Sequence, residues 1–355
     1  MIFPAFYLPR MPAIHIYNPD TDYALAFMGK IYSPPASIIR LRRQGALFPA
    51  TYAREDDVIL LLDDFSPTEL ESSIHHPMAR EKNIIIININ KGFENAVATI
   101  TAAYPLNDIE VCPWGWNLSL RNTLIRKGMP ELLLKSELEI DRIRSLSHRR
   151  KTIPFQQELM ALLPRLGVKI AMEFFNEEDV WRFAAQQPGA YFKMPWSSAG
   201  RGVVCRKNMT DLKFREWIHG AIIRQGSVLG EFGYDRAIDF ATEWVCRKGE
   251  VIFIGLSLFH TSSNGTYISN RVLSQEEIFA VIKSHSPLWD WNVIEAQREV
   301  IKKLISPFYD GPLGIDMLAD KKGSINPCVE INLRMTMGMA TILANSLNNV
   351  NKYEQ

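Results

Sequence analysis

The sequence predicts an amino-terminal α/β domain followed by a region that contains antiparallel hairpins. Two observations support this prediction. Between Ile14 and about Trp114, short apolar runs alternate with helical-looking segments, which is typical of an open, largely parallel sheet with helices on its faces. Beyond Tyr191, apolar runs are joined by turn signals, as in antiparallel hairpins.

The individual elements follow from apolar patterning and from capping residues. The strands predicted for the first domain are residues 14–17, 58–62, 84–87 and 109–112. From residue 118 to 163 the periodicity is helical, and the capping candidates are Asn117, Ser136 and Ser147. Further helices are predicted at 156–166, at 177–185 after the cap Asn176, and at 275–283. Further strands are predicted at 227–234, 240–246 and 251–259.

The composition limits the class of function. The 355 residues, 47% of them hydrophobic, are enough for two or three packed units. Lysine and arginine number 40 against 39 aspartate and glutamate, so the net charge of +1 argues against a nucleic-acid binder. No apolar stretch approaches the length of a membrane span. Four widely spaced cysteines indicate a reduced, cytoplasmic chain, and a homodimer is compatible with this composition.

The first ten residues are apolar but interrupted by prolines. No basic segment precedes the apolar run, which makes this stretch a poor signal peptide. Met11 directly precedes the first convincing strand. We therefore predict that residues 1–13 form an extension, and the sequence leaves open whether Met1 or Met11 is the true start.

Acidic residues lie on two predicted strands near the end of the chain. One strand contains Asp316, and after a turn signal at residues 321–323 the next contains Glu330 and Asn332. Because residues two apart share a face of a strand, the hairpin should bring Asp316 alongside the other two. Two carboxylates and an amide oxygen suit Mg²⁺, with Mn²⁺ as an alternative. Arg334 continues the alternation and could hold a phosphoryl oxygen.

A second candidate site lies upstream, where Lys193 ends an apolar strand. A loop of small residues follows, and a β-type run resumes after it. Glycine lets the backbone approach a ligand closely, and successive N–H groups can form an anion nest. The loop residues that we assign to phosphate binding are Ser197, Ser198, Gly200, Arg201, Gly202 and Val203.

In this order, the strand lysine, the glycine loop, the aspartate and the Glu-x-Asn-x-Arg motif resemble the ATP-grasp superfamily. The resemblance covers the chain from about Ile143 to its end and rests on the combination of motifs. It implies two α+β subdomains that grip ATP, preceded by an α/β domain. The layout that it implies is an extension at 1–13, a pre-ATP-grasp domain at 14–117, a helical linker at 118–150, a small subdomain at 151–228 and a large subdomain at 229–355.

The resemblance also assigns roles to residues. Lys193 would contact the α- and β-phosphates, and the loop would cover the β- and γ-phosphates. Asp316, Glu330 and Asn332 would hold Mg²⁺, and Arg334 would stabilise the transferring phosphoryl group. Glu231 and Phe232 would lie near the adenine. Asp239, with Glu243 as the alternative, would bond the ribose, and Arg150 or Lys151 would reach the phosphates.

The acceptor side of the site is less marked in the sequence. Asp20 follows the first strand, where ligands bind in open α/β sheets, although it could instead cap the next helix. The aromatic run that begins at Trp114 ends another strand on the same edge. A polar loop at residues 262–271 follows a long apolar strand, and its candidate substrate residues are Tyr267, Asn270 and Arg271.

Most ATP-grasp proteins activate a carboxylate as an acylphosphate, which an amine or thiol then attacks. The resemblance therefore implies an ADP-forming ligase that joins a small carboxylate to an amine. Two alternatives remain open at this stage. One is a small-molecule kinase that uses the same ATP site, and the other is a nucleotide-binding regulatory protein without turnover.

Overall fold

The computed structural model describes residues 12–27, 29–89, 105, 108–197, 202–262 and 267–353. The chain divides into two compact units. The first contains Met1–Ile140 and Ala340–Gln355, and the second contains Asp141–Met339. No helix among the described residues is long and apolar enough to cross a membrane.

In the described part of the first unit, four parallel strands form one sheet in the order β3-β2-β1-β4. These strands are β1 (Ala13–Ile16), β2 (Val58–Leu61), β3 (Ile85–Asn88) and β4 (Glu110–Pro113). The helices are α1 (Thr21–Ala26), α2 (Ala36–Gln44), α3 (Pro67–Ile74), α4 (Pro77–Glu81) and α5 (Leu118–Arg126). The parallel sheet predicted from the alternating pattern is confirmed.

Both faces of the first sheet are buried, which explains its almost continuous apolar strands. Val58 and Leu60 belong to an apolar cluster that includes Leu120 and Leu124 of α5. The alternate residues of β2 belong to a second cluster with Ala50 and Ala79. The predicted cap Asn117 accepts a hydrogen bond from the backbone N–H of Leu120 at 2.9 Å and so begins α5.

The second unit contains a smaller antiparallel sheet, in the order β5-β8-β6-β7 within the described residues. Its strands are β5 (Met172–Phe174), β6 (Tyr191–Lys193), β7 (Val203–Cys205) and β8 (Val228–Glu231). Helices α8 (Glu177–Gln186) and α9 (Asp211–Gln225) pack on it through a core with Phe183, Phe192 and Phe214. Helix α6 (Glu137–Leu146) crosses the unit boundary, and α7 is Thr152–Leu162.

A larger antiparallel sheet has the order β11-β10-β9-β12-β13 in the part of the chain that the structure describes. Its strands are β9 (Arg236–Arg247), β10 (Glu250–Thr261), β11 (Tyr267–Arg271), β12 (Gly311–Asp320) and β13 (Ile325–Asn332). The helices that follow its strands are α10 (Gln275–His285), α11 (Trp291–Leu304) and α12 (Met337–Tyr353).

The two faces of the larger sheet differ in polarity. Helices α10 and α11 pack on the sheet, where Phe240 of β9 meets Trp289 with a ring separation of 5.4 Å. The opposite face carries polar side chains on neighbouring strands, because the residues paired across the strands alternate with the apolar set. We call this second surface the polar face. By register it contains Ser257, Asp239, Glu243, Asp316, Glu330 and Asn332.

Some sequence-based boundaries differ from the structure. The helix predicted at 156–166 begins earlier, at Thr152, and ends at Leu162. The loop predicted at 262–271 is a strand from Tyr267 onward, because this segment pairs with β10. His148, rather than Ser147, caps the short helical turn at Arg149–Lys151. The unit boundary lies at Ile140, inside the predicted linker, and the tail from Ala340 joins the first unit.

Asp57 joins the start of β1 to the segment before β2. Its carboxylate accepts hydrogen bonds from the backbone N–H of Ala13 and of Arg54, at 2.9 and 2.8 Å, and is paired with His15 at 3.0 Å. Burial acts to raise the pKa of Asp57, but the His15 contact and the two N–H donors outweigh it, and the pKa lies below its ordinary value.

We predict that Asp57→Ala lowers the free energy of unfolding by about 2–4 kcal/mol at pH 7, because buried donors lose their acceptor. Since the folded pKa is depressed, this contribution is present above the unfolded pKa of about 4 and is lost as the pH falls. Urea unfolding with hydrogen exchange of the β1 amides measures it. The control is Glu55→Ala, an exposed residue. A deficit that stayed constant down to pH 2 would contradict the carboxylate's role.

Candidate functional site

The hairpin of β12 and β13 places the predicted acidic residues side by side. Asp316 is directly opposite Glu330, and Gly314 is opposite Asn332. The amide of Asn332 is hydrogen-bonded to Asp316. Burial, with the nearby carboxylates Glu330 and Glu243, raises the pKa of Asp316 to about 7. Crowding of like charges at this point means that a cation would be favourable there.

The buried cation beside these carboxylates is Arg149. Its Nη2 donates to the Glu330 carboxylate at 2.6 Å, and only 4% of its side chain is exposed. The same guanidinium binds the chain that follows β6. It donates to the Met194 carbonyl at 2.7 Å and to the Ser197 hydroxyl and carbonyl at 2.6 and 3.1 Å. One side chain therefore connects the start of the glycine loop with the carboxylate hairpin.

The resemblance assigned Arg150 or Lys151 to the phosphates of ATP, and that assignment stays a prediction. In the structure the Arg150 side chain is 46% exposed and pairs with Glu173 at 3.2 Å. Arg149 and Arg150 are neighbours in the short helical turn Arg149–Lys151, so their side chains leave the backbone in different directions. A run of adjacent basic residues does not reveal which one faces inward, so the sequence offered no signal that would have selected Arg149.

Lys193 lies at the end of β6 and is 5% exposed. Its Nζ is 2.7 Å from the Glu231 carboxylate and donates to the Val329 carbonyl at 3.3 Å. Val329 directly precedes Glu330, so the predicted lysine reaches the strand that carries the carboxylates. The other Glu231 oxygen, Oε1, is buried without a hydrogen-bond partner. The Nε of Arg149 is likewise buried without a partner.

Only part of the predicted glycine loop belongs to the described residues. Ser198, Gly200 and Arg201 lie outside them. Gly202 has a φ of +72°, which favours glycine, and its carbonyl accepts a hydrogen bond from the Met194 N–H at 2.8 Å. A Cβ on Gly202 would lie 2.9 Å from the Ser197 Cβ. Val203 begins β7 opposite Lys193.

Trp196, which leads into the loop, is held by contacts that the sequence did not indicate. The side chain of Gln225 accepts from the Trp196 N–H at 2.9 Å and donates to the Trp196 carbonyl at 3.0 Å. The indole N–H donates to the Arg144 carbonyl at 3.0 Å, and the Arg144 guanidinium lies 4.3 Å from the ring centre. The segment before the loop is therefore fixed in both backbone and side chain.

The residues predicted to contact adenine and ribose have defined surroundings. Phe232 packs edge-on against Phe183 with a ring separation of 5.4 Å. Lys169 Nζ is 5.8 Å from the Phe232 ring centre. Asp239 is paired with Arg236 at 3.1 Å and accepts from the Thr261 hydroxyl at 2.5 Å. Burial raises the pKa of Asp239 above its ordinary value despite these contacts.

Arg334 follows β13 and lies next to the predicted metal site. Its Nη2 donates to the Asn332 side-chain oxygen at 2.9 Å, and its Nη1 donates to the Met335 carbonyl at 3.1 Å. Glu243, weighed for the ribose contact, is instead 1% exposed within the polar face. Burial raises its pKa to about 7, although Thr336 and Ser257 donate hydrogen bonds to it.

The predicted substrate residues belong to different units. Asp20 is in the first unit, 6% exposed, with a carboxylate oxygen 3.8 Å from Arg42. It precedes α1 but makes no side-chain cap bond. Tyr267, Asn270 and Arg271 are in the second unit, on the edge strand β11. Asn270 donates to the Met337 carbonyl at 2.7 Å, and Arg271 is exposed.

The donor set fits Mg²⁺ better than a metal held by protein alone. Among the described residues, no three His, Cys, Asp or Glu side chains are grouped to hold a metal ion. The hairpin offers two carboxylates and one amide, and Mg²⁺ is ordinarily held by one or two carboxylates together with water and phosphate oxygens. Burial is the main cause of the raised pKa of Asp316, and the neighbouring carboxylates add to it, so a cation bound here would favour the charged form of Asp316.

Comparisons with known proteins identify the fold. No protein-family model and no curated protein matches the sequence. The biotin carboxylase of Campylobacter jejuni, solved as a βγ-ATP complex, has a TM-score of 0.50 and 15% identity, over 95% of this chain and 70% of that one. An N5-carboxyaminoimidazole synthetase of Staphylococcus aureus with ADP has a TM-score of 0.47 and 12% identity, over 94% and 77%. An L-amino acid ligase of Bacillus licheniformis has a TM-score of 0.42 and 14% identity, over 96% and 75%.

The likeness to biotin carboxylase is a likeness of fold. The chain shares the fold of that structure, as the resemblance to ATP-grasp proteins implies.

The buried pair of Lys193 and Glu231 permits a test of the site's electrostatics. We predict that Lys193→Met destabilises the second unit by about 3–5 kcal/mol, because Glu231 is left buried without its cation. The double variant Lys193→Met/Glu231→Leu should recover most of this loss. Urea unfolding measures both, and Lys207→Met, at an exposed residue, is the control. If the two single effects simply added in the double variant, the pairing would have no energetic role.

Proposed function

We propose that this protein is an ATP- and Mg²⁺-dependent ligase that forms an acylphosphate on a small carboxylate, joins it to an amine and releases ADP. One observation carries the proposal. Two buried cations on the side of the smaller sheet, Lys193 and Arg149, meet the strand of the larger sheet that carries Glu330. The fold shared with the biotin carboxylase of Campylobacter jejuni, which was solved as a βγ-ATP complex, supports this proposal.

The nucleotide and metal would be held as follows. Asp316, Glu330 and Asn332 would hold Mg²⁺ on the polar face. Lys193 and Arg149 would bind the phosphates, because both are buried and bear positive charge next to these carboxylates. When bound, ATP would supply the phosphoryl group that activates the carboxylate and that leaves as phosphate when the amine attacks, and Mg²⁺ would neutralise its charge. We also retain the assignments made from the sequence. Loop residues 197–203 would cover the phosphates, Glu231 and Phe232 would lie near the adenine, and Asp239 would bond the ribose.

The contribution of the chain is placement and charge. Arg149 already holds the entry to the loop through Ser197, so an anion bound to its guanidinium would be fixed relative to that loop. Arg334 is oriented by Asn332 and would neutralise charge on the group being transferred. Burial of Lys193 and Arg149 excludes water from both cations, which strengthens their attraction for phosphate.

The acceptor is assigned only by class. Tyr267, Asn270 and Arg271 are our proposed contacts for the carboxylate and amine substrates, and the assignment of Asp20 in the first unit stays a prediction from the sequence. Asn270 is already hydrogen-bonded to the Met337 carbonyl, whereas Arg271 is exposed and available to a substrate carboxylate. A bidentate contact would require arginine rather than lysine at this position.

The function is tested by ADP release in the presence of Mg·ATP and a panel of small carboxylates with and without amines. Release that requires both substrates supports the ligase. Hydroxylamine added with the carboxylate alone should yield a hydroxamate, because it captures an acylphosphate. A stable phosphorylated product that forms without an amine would instead support the kinase alternative, and Mg·ATP binding without turnover would support a regulatory protein.

We predict that Glu330→Gln and Asp316→Asn each lower the rate of ADP release at least a hundredfold while the fold is retained. Each variant removes a charged metal ligand but nearly preserves side-chain volume. Steady-state kinetics with titration of Mg²⁺ measure the effect, and circular dichroism checks the fold. Normal turnover of Glu330→Gln would show that the metal assignment is wrong.

The choice between neighbouring arginines is a separate prediction. Arg149→Met should weaken Mg·ATP binding about tenfold to a hundredfold, because hydrogen bonds to charged groups contribute about 1.5–3 kcal/mol each. Arg150→Met should have a smaller effect, since Arg150 is paired with Glu173 at the surface. Calorimetric titration compares them, with the exposed Arg142→Met as the control. A larger effect at Arg150 than at Arg149 would favour the assignment made from the sequence.

A further inference from the structure

Glu243 is a buried carboxylate whose contacts are not explained by binding a ligand directly. It lies in the middle of β9 with 1% of its surface exposed. One oxygen accepts a hydrogen bond from the Ser257 hydroxyl of β10 at 2.9 Å. The other accepts from the Thr336 hydroxyl at 2.8 Å, in the turn between β13 and α12. A buried carboxylate is costly unless it is hydrogen-bonded, and here it joins two separate segments.

The residues around this carboxylate leave space for it. Both residues opposite Glu243 on the neighbouring strands are glycines, Gly255 on β10 and Gly314 on β12. A Cβ on Gly314 would lie 2.9 Å from the Glu243 carboxylate. A Cβ on Gly338 would overlap both the carboxylate and the Ser257 hydroxyl. The local sequence is therefore matched to a carboxylate at this position, and an ordinary apolar core would not require these glycines.

The turn that Glu243 holds is the one that carries Arg334. Thr336 is two residues beyond Arg334, and its hydroxyl also accepts the Met339 N–H at 2.9 Å. Asn270 fixes the next residue by donating to the Met337 carbonyl. The Arg334 guanidinium donates hydrogen bonds to the Asn332 side-chain oxygen and to the Met335 carbonyl. The turn is thus hydrogen-bonded to the polar face before Thr336, through Arg334 and Asn332, and after it, through Asn270 and the Met337 carbonyl.

We propose that Glu243 is a positioning residue, which acts through Thr336 to hold the turn so that the Arg334 guanidinium stays beside Asn332 and the Asp316–Glu330 hairpin. Its effect on turnover rests on the proposed function, in which Arg334 contacts the phosphoryl group. Its effect on the turn itself does not.

The two hydroxyls on Glu243 provide a matched pair of variants. Thr336→Val and Ser257→Ala each remove one hydrogen bond to the same carboxylate, but only Thr336 lies in the turn. We expect Thr336→Val to lower the unfolding midpoint more than Ser257→Ala does, because it also removes the acceptor of the Met339 N–H. Thr336→Val should lower kcat for ADP release about tenfold with little change in the KM for ATP, whereas Ser257→Ala should keep kcat within twofold. Thr336→Ser retains the hydroxyl and should restore kcat.

A readout without nucleotide separates this proposal from the proposed function. Hydrogen exchange of a peptide that covers residues 333–339 should become at least tenfold faster in Thr336→Val and stay unchanged in Ser257→Ala. Equal exchange in the two variants, or equal loss of kcat, would overturn the positioning role. If the wild type released no ADP, the proposed function would fail, yet the same exchange measurement on Glu243→Ala, which keeps the Thr336 contact with the Met339 N–H, would still decide whether Glu243 holds the turn.

A double-variant cycle supplies the last check. The proposal says that Glu243 and Thr336 affect turnover by holding Arg334 in place. The loss of kcat in Thr336→Val should therefore be largely absent when Arg334 is already replaced by lysine. Multiplicative losses in Thr336→Val/Arg334→Lys would show that the two residues act independently and would overturn the proposal.

Discussion

The hydrogen bonds of the Arg149 guanidinium are the interaction on which the candidate site depends. Arg149 compensates a carboxylate in the larger sheet and at the same time binds the backbone and hydroxyl of the segment that leaves the smaller sheet. A lysine could not make this set of contacts, because it offers one nitrogen rather than a planar fork. Lys193 also contacts both sheets, because it pairs with Glu231 on the smaller one and donates to the Val329 carbonyl on the larger one. Two buried cations thus link the two sheets of the second unit.

The polar face of the larger sheet is the surface that Arg149 contacts through Glu330, and its composition is unusual for a sheet. Sheets of this kind commonly have one face in a core and one face toward solvent. In this protein the second face is neither apolar nor fully solvated, and it holds carboxylates, hydroxyls and an amide on adjoining strands. Among the described residues, Glu243 is hydrogen-bonded to a neighbouring strand and to the turn after β13, whereas the partner of Glu330 is Arg149, which precedes α7. Such a buried polar network is costly wherever one of its members lacks a hydrogen-bond partner.

The sequence was sufficient for the features that depend on local pattern. Alternation on the strands predicted the Asp316–Glu330 pairing, because the register of a hairpin follows from its turn and its apolar face. The strands of the first sheet and the cap Asn117 followed from the same kind of signal. The contacts that the sequence did not indicate act over long distances in the chain. Arg149 and Gln225 acquire their contacts from tertiary packing, and no spacing rule distinguishes an inward arginine from its exposed neighbour.

The separation of the site residues along the chain also bears on how the protein folds. Arg149 and Glu330 are 181 residues apart, and Lys193 and Val329 are 136 apart. Contacts of such long range form slowly, since the entropy of closing a large loop is lost before the contact is gained. The smaller sheet can therefore gain its own core while Arg149 and Lys193 still lack their partners on β13. The contacts of Arg149 and Lys193 with β13 are consequently among the last that the folding chain acquires, and they serve as a marker of completed folding.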